Sequence, residues 1–154
     1  MTILVLAFLI GVVAGLRAMT APAVVSWAAR LGWLHLQGTP LAFLGYAATP
    51  YVVSAFAIGE LIADQLPKTP SRKAPAGFIS RLVTGALCGA ALGAPYAALA
   101  GGLVAGVLGA VAGTFGGYEV RMRLARAVGR DRPIALLEDA IAIAGALFLV
   151  TRFS

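Results

Sequence analysis

The sequence predicts an all-α membrane protein of about five transmembrane helices, packed closely through glycine. Three observations carry that expectation. Hydrophobic residues make up 60% of the 154 residues, and the mean hydropathy is +0.93. Charged residues are 12%, against about 25% in a soluble domain. Glycine contributes 19 residues, well above the usual ~7%. Small residues are what let helix backbones approach one another in lipid. A spanning helix needs roughly 20 residues, so the length holds five spans in one domain, 1–154, and no soluble domain.

The formal net charge is +6 and the pI about 10.3. No basic patch interleaved with aromatics is present, so nucleic acid is not the expected partner. Basic loops facing the cytoplasm and its anionic headgroups explain the charge. Cys88 is the only cysteine, which excludes an intrachain disulfide and a cysteine metal cluster. Its Ala, Leu and Gly neighbours suit a small packing residue. The N-terminal run resembles a signal peptide, but it lacks a basic start and continues past Arg17. It reads as a retained first span.

The first span covers about 2–31 and holds the stretch around which the chain is organised, Gly11–Pro22. Arg17 lies inside it. An arginine near the bilayer centre costs from about 2.5 to more than ~10 kcal/mol, depending on how it is measured, so it reads as functional by default. Thr20 suits an N-cap and Pro22 a first helical turn, so a new helix can begin there. A Pro kink in one continuous helix is the alternative. Trp27, Arg30 and Trp33 form an interfacial anchor. His35, alone in the following loop, reads as solvated.

The second span covers about 41–65 and is interrupted at Pro50. Glu60 and Asp64, four residues apart, share a helix face. They read either as headgroup-level partners of loop arginines or as a proton or cation site. A polar linker follows at 66–78. Pro67, Pro70 and Pro75 prevent a helix there, and Lys68, Arg72 and Lys73 make it basic. The third span, about 79–95, carries Gly85, Gly89 and Gly93 every fourth residue. That stripe is a close-packing face, within the fold or between protomers. Pro95 ends it.

The fourth span, about 97–128, reaches a weak point at Gly116-Gly117 beside Glu119. Five arginines follow, Arg121 to Arg132, and 121–132 forms a second basic linker. Glu119 and Arg123 are spaced to pair at i,i+4. The fifth span, about 133–152, begins at Pro133 and carries Glu138 and Asp139 on different faces. With five spans, both basic linkers share the side of the N-terminus. That predicts a cytoplasmic N-terminus and an outside C-terminus.

Residues 9–15, Leu-Ile-Gly-Val-Val-Ala-Gly, are echoed at 107–113, Val-Leu-Gly-Ala-Val-Ala-Gly. Each copy runs into a weakened, charged site and then an Ala/Arg-rich helix. Spans one and two would match spans four and five. An odd number of spans apart, the copies would form an inverted repeat with broken or kinked helices one and four, as in many secondary transporters. A helix starting at Thr20 beside Arg17 would favour an anion. Alternatively, Arg17 neutralises a carboxylate such as Glu60 or Glu119.

The run Gly15-Leu-Arg-Ala-Met-Thr-Ala-Pro-Ala23 resembles the opening signature of a bacterial membrane-protein family, domain of unknown function 4126. The constellation Glu60, Asp64, Pro67, Pro70, Arg72 and Arg81 is similar to the middle of that family. The resemblance implies a small integral protein of a bacterial inner membrane and brings no activity or catalytic residues.

The functional expectation is a small transporter or channel-like protein with a midplane site for an anionic or proton-coupled solute or ion, completed as a homodimer or other homo-oligomer. Its candidate residues are Arg17, Thr20, Glu60, Asp64, Glu119, Glu138 and Asp139, with helix breaks at Pro22, Gly116 and Gly117. The alternative is a structural or assembly subunit of a larger membrane complex, docking through Gly85, Gly89 and Gly93. No Ser/His/Asp set, metal cluster or phosphate loop is present, so no enzyme, metal or cofactor is expected. Glu60 with Asp64 as a Mg²⁺ site is the weak exception.

Overall fold

The computed structural model describes residues 3–63, 75–130 and 132–153. Six α-helices follow in order: α1 (Ile3–Leu16), α2 (Thr20–Arg30), α3 (Thr49–Ala63), α4 (Pro75–Gly93), α5 (Leu99–Val128) and α6 (Arg132–Val150). Short 3-10 turns lie at Ala42–Gly45, Ala94–Tyr96 and Thr151–Phe153. No strand occurs among the described residues. Gly77–Tyr96, Leu99–Val128 and Arg132–Phe153 are long and apolar enough to cross a membrane, and Ile3–Leu16 and Thr49–Ala63 are shorter apolar helices.

The first predicted span is two helices, broken rather than kinked. The Arg17 amide still donates to the Val13 carbonyl at 2.8 Å, and regular helix then stops until Thr20. Pro22 explains the position. A helix running through it would lose the bond to the Ala18 carbonyl, and the proline ring would press on that oxygen. As the third residue of α2 its missing N–H leaves nothing unpaired.

The second expected break is absent. Gly116 and Gly117 lie inside the unbroken α5. Glycine weakens a helix by about 1 kcal/mol, but it removes no hydrogen bond, so the helix continues through it. Span two also differs from expectation. Pro50 is the second residue of α3 rather than an interruption, and the residues before it are turn.

The bundle is built on α1, α4 and α5, which meet backbone to backbone. A Cβ on Gly11 would collide with the Gly106 carbonyl oxygen, and one on Gly15 with that of Ala110. Across the same seam, a Cβ on Gly109 or Gly113 would collide with the carbonyl oxygen of Phe8 or Val12. Residue numbers on the two helices rise together, so α1 and α5 are parallel. On the other face of α5, Gly85, Gly89 and Gly93 oppose Gly106, Gly102 and Ala98, so α4 is antiparallel. The glycine stripe of α4 is therefore consumed inside the fold and does not form a surface between protomers.

This geometry overturns the inverted arrangement. The two glycine copies lie side by side on parallel helices. Counting spans misled because α2 and α3 leave the level of the break and return to it. Trp27 of α2 donates to Ser54 of α3 at 2.9 Å and stacks edge-on against Tyr51. Glu60, further along α3, comes back to the amides of Ala18 and Met19.

The last helix, α6, runs antiparallel to α1. Asp139 meets Arg17, while a Cβ on Gly145 would lie 3.9 Å from Val13. At the far end the rings of Tyr96 and Phe153 are 6.1 Å apart. Ile3 and Phe153 thus share one end of the bundle with the α4–α5 turn. The helix ends flanking the two basic connections share the other. Ala63, Pro75, Val128 and Arg132, which flank those connections, thus lie at the end opposite Ile3. Cys88 is fully buried in a core that α1, α2, α4 and α6 share, in keeping with a packing role.

Gly106→Ala should lower the stability of the detergent-purified protein by about 1–3 kcal/mol through overpacking. Gly59→Ala, where an added Cβ meets nothing within 4 Å, should be neutral or gain up to ~1 kcal/mol. Thermal unfolding of the two variants beside wild type checks the contrast.

Candidate functional site

A broken helix exposes carbonyls at the end of its first half and amides at the start of its second. In an apolar bundle each needs a partner, because an unsatisfied buried polar group costs several kcal/mol. At the α1–α2 break the partners are ionised side chains from other helices.

Glu60 of α3 serves the amides. Its two carboxylate oxygens accept from Ala18 N and Met19 N, each at 2.8 Å. Arg81 of α4 serves the carbonyls. Its Nη1 donates to Gly15 O at 2.8 Å and to Leu16 O at 3.2 Å. Both assignments match the helix dipoles, an anion at the start of α2 and a cation at the end of α1. Arg81 and Glu60 also approach within 4.0 Å. Thr114 of α5 adds a longer hydroxyl bond to Gly15 O, at 3.4 Å.

Arg17 sits in the break and is fully buried. Its Nε and Nη2 both reach Asp139 Oδ1 of α6. Its Nη1 also lies 3.3 Å from the Leu16 carbonyl. The centre thus holds two cations and two anions, drawn from α3, α4, α6 and the break itself, and its net charge is zero. Asp139 and Arg81 are the eighth and seventh residues of their helices. At 1.5 Å per residue the centre lies about 9–10 Å from the starts of α4 and α6. Both helices have 19 residues, so the centre lies within three residues of the middle of each.

Of the sequence candidates, Arg17, Thr20, Glu60 and Asp139 come together. Thr20 does not cap α2. Met19 occupies the cap position without a side-chain bond; of the amides a Thr20 cap would serve, Pro22 has none and Ala23 N donates to the Met19 carbonyl. The Thr20 Oγ1 is buried and has no hydrogen-bond partner. The carboxylate that neutralises Arg17 is Asp139, neither Glu60 nor Glu119.

Glu138 faces away from the centre, as its position beside Asp139 implied, and lies 3.5 Å from Arg121 of α5. Glu119 is exposed and pairs with Arg123 at 3.0 Å, so it takes no part. Asp64 lies outside the described residues. His35 is exposed, and no cluster of metal-ligating side chains occurs among the described residues.

Arg81 was not among the sequence candidates, and its role was missed. The available signal was its setting, Phe78-Ile-Ser-Arg-Leu-Val83, an arginine already inside an apolar helix. No protein-family model, curated protein or solved structure matches the chain.

Arg17→Met should cost about 3–5 kcal/mol, because it strands the buried Asp139 carboxylate. Adding Asp139→Leu should recover most of that loss, since two apolar groups replace a buried ion pair at little cost. Thermal unfolding of both single variants and the double variant measures the coupling.

Proposed function

We propose that this chain is a small integral membrane protein of transporter or channel type, in which a small anion reaches the helix break together with a proton. One observation carries the reading. A broken helix is held open by buried charges of four separate segments, with no helix backbone to spare for its carbonyls and amides. Buried ion pairs seldom add stability over apolar packing. Interrupted helices with charged groups are where membrane carriers bind ions and polar solutes.

The chemistry of exchange follows from the neutral centre. A proton on Asp139 removes one negative charge and loosens its hold on Arg17. An anion then restores neutrality by taking the guanidinium's donors. Proton and anion enter and leave as a pair, so buried charge stays balanced throughout. The Thr20 hydroxyl, buried beside the break without a protein partner, supplies a further polar contact for the solute.

In this reading α4, α5 and α6 cross the bilayer, and α1 runs from one face to the break. A five-span count would add α1 and α3, at 14 and 15 residues. Their lengths of about 21 and 22 Å fall short of a ~30 Å hydrocarbon core. The basic end faces the cytoplasm, and Ile3 and Phe153 lie toward the opposite side. Placement in a bacterial inner membrane rests on the resemblance around Gly15–Ala23. So few helices suit a pathway completed by a second copy. The competing reading, an assembly subunit, drew on the glycine stripe of α4 as a docking face, and that stripe is buried against α5.

Proteoliposomes loaded with a pH dye test the proposal against chloride, nitrate, phosphate and acetate gradients. Wild type should acidify its lumen with at least one inward anion gradient. Arg17→Gln should reduce that signal at least tenfold. Asp139→Asn should keep anion movement while uncoupling it from protons. Folded wild-type protein that moves none of these anions, and no protons, above protein-free vesicles would sink the idea.

A further inference from the structure

Between the second half of α5 and the start of α6 lies a cleft of about 230 Å³ that the helix break does not use. Its floor is Leu16, Gly117 and Ile134, and its rims are apolar side chains of α5 and α6. Val120, Leu124, Leu137 and Ile141 on those rims are between 40% and 56% exposed. The cleft is therefore a groove open to the side. It is smaller than the ~300 Å³ lower bound for drug-sized ligands, and its sideways opening suits a chain that enters from the bilayer.

Arg121 and Glu138 meet halfway along the groove, and Leu124 and Ile134 line its end toward the α5–α6 connection. Beyond it comes the α5–α6 connection, where residues 119–132 hold five arginines against two acids, Glu119 and Asp131. Arg126, Arg130 and Arg132 are exposed. An apolar slot beneath a cationic rim has the order of a phospholipid, chain below and phosphate above.

We propose that this groove binds one anionic phospholipid, with an acyl chain between α5 and α6 and its phosphate on the arginines of the α5–α6 connection. The inference rests on the membrane placement proposed above and is independent of transport. Zwitterionic lipid fills the groove less well, because its ammonium group is repelled by the same rim. Each arginine near an anionic surface contributes roughly a fivefold preference.

Gly116 gives a direct test. It lines the groove, and an added Cβ there meets nothing within 4 Å, so Gly116→Leu fills the slot without disturbing α5. The full chain, purified in mild detergent, is titrated with phosphatidylglycerol or phosphatidylcholine and read by native mass spectrometry. Wild type should retain phosphatidylglycerol in preference to phosphatidylcholine. Gly116→Leu should lose the retained lipid. Arg126→Gln with Arg130→Gln, both at exposed positions, should cut the preference roughly tenfold or more. Equal retention of both lipids by wild type overturns the proposal. So does an unchanged preference in the double arginine variant, which is readable even if Gly116→Leu does not fold. Membrane placement is scored separately: recovery of the chain from washed membranes without detergent would refute that reading and not the groove alone.

Discussion

The structure depends on how the polar backbone at the α1–α2 break is satisfied. Water normally takes such groups, and apolar helices cannot offer it. The fold sends Glu60 to the amides and Arg81 to the carbonyls. Those two contacts set the register of α3 and α4 against the break. Arg17 then places α6, because its guanidinium reaches Asp139. Three helices, α3, α4 and α6, are thus registered by one three-residue interruption.

The glycine seams make this possible. Carbonyls at Gly15 and Leu16 are within reach of Arg81 only because α1, α4 and α5 approach to backbone contact. Close approach and charge satisfaction reinforce each other. Small residues bring the helices together, and the buried charges determine which turn faces which. Dispersion between smooth glycine faces would leave sliding along the axis weakly opposed. The ion pairs oppose it, since a one-residue slip separates donor from acceptor.

Much of this was legible in the sequence. Arg17 and Glu60 stood out as ionisable groups in apolar segments, and Pro22 marked the break to within a few residues. The glycine stripe of α4 was legible as a packing face. Partner identity was not, because it depends on helix order and direction. Asp139 lies far along the chain from Arg17, and nothing local links them. The inverted repeat misled for the same reason. The resemblance of Gly11–Gly15 to Gly109–Gly113 reflects a shared need for small residues on two helices that pack against each other in parallel. Gly116–Gly117 was weighed as if glycine acted like proline, whereas only proline removes a donor.

The Arg17–Asp139 pair spans 122 residues of sequence, and this bears on how the chain is made. Arg17 leaves the ribosome long before Asp139. At synthesis rates of 5–20 residues per second, the delay is roughly 6–24 s. Glu60 and Arg81 emerge within that interval, so the break's backbone finds its caps while Arg17 still lacks its counterion. Arg17 gains its counterion only when the last helix arrives.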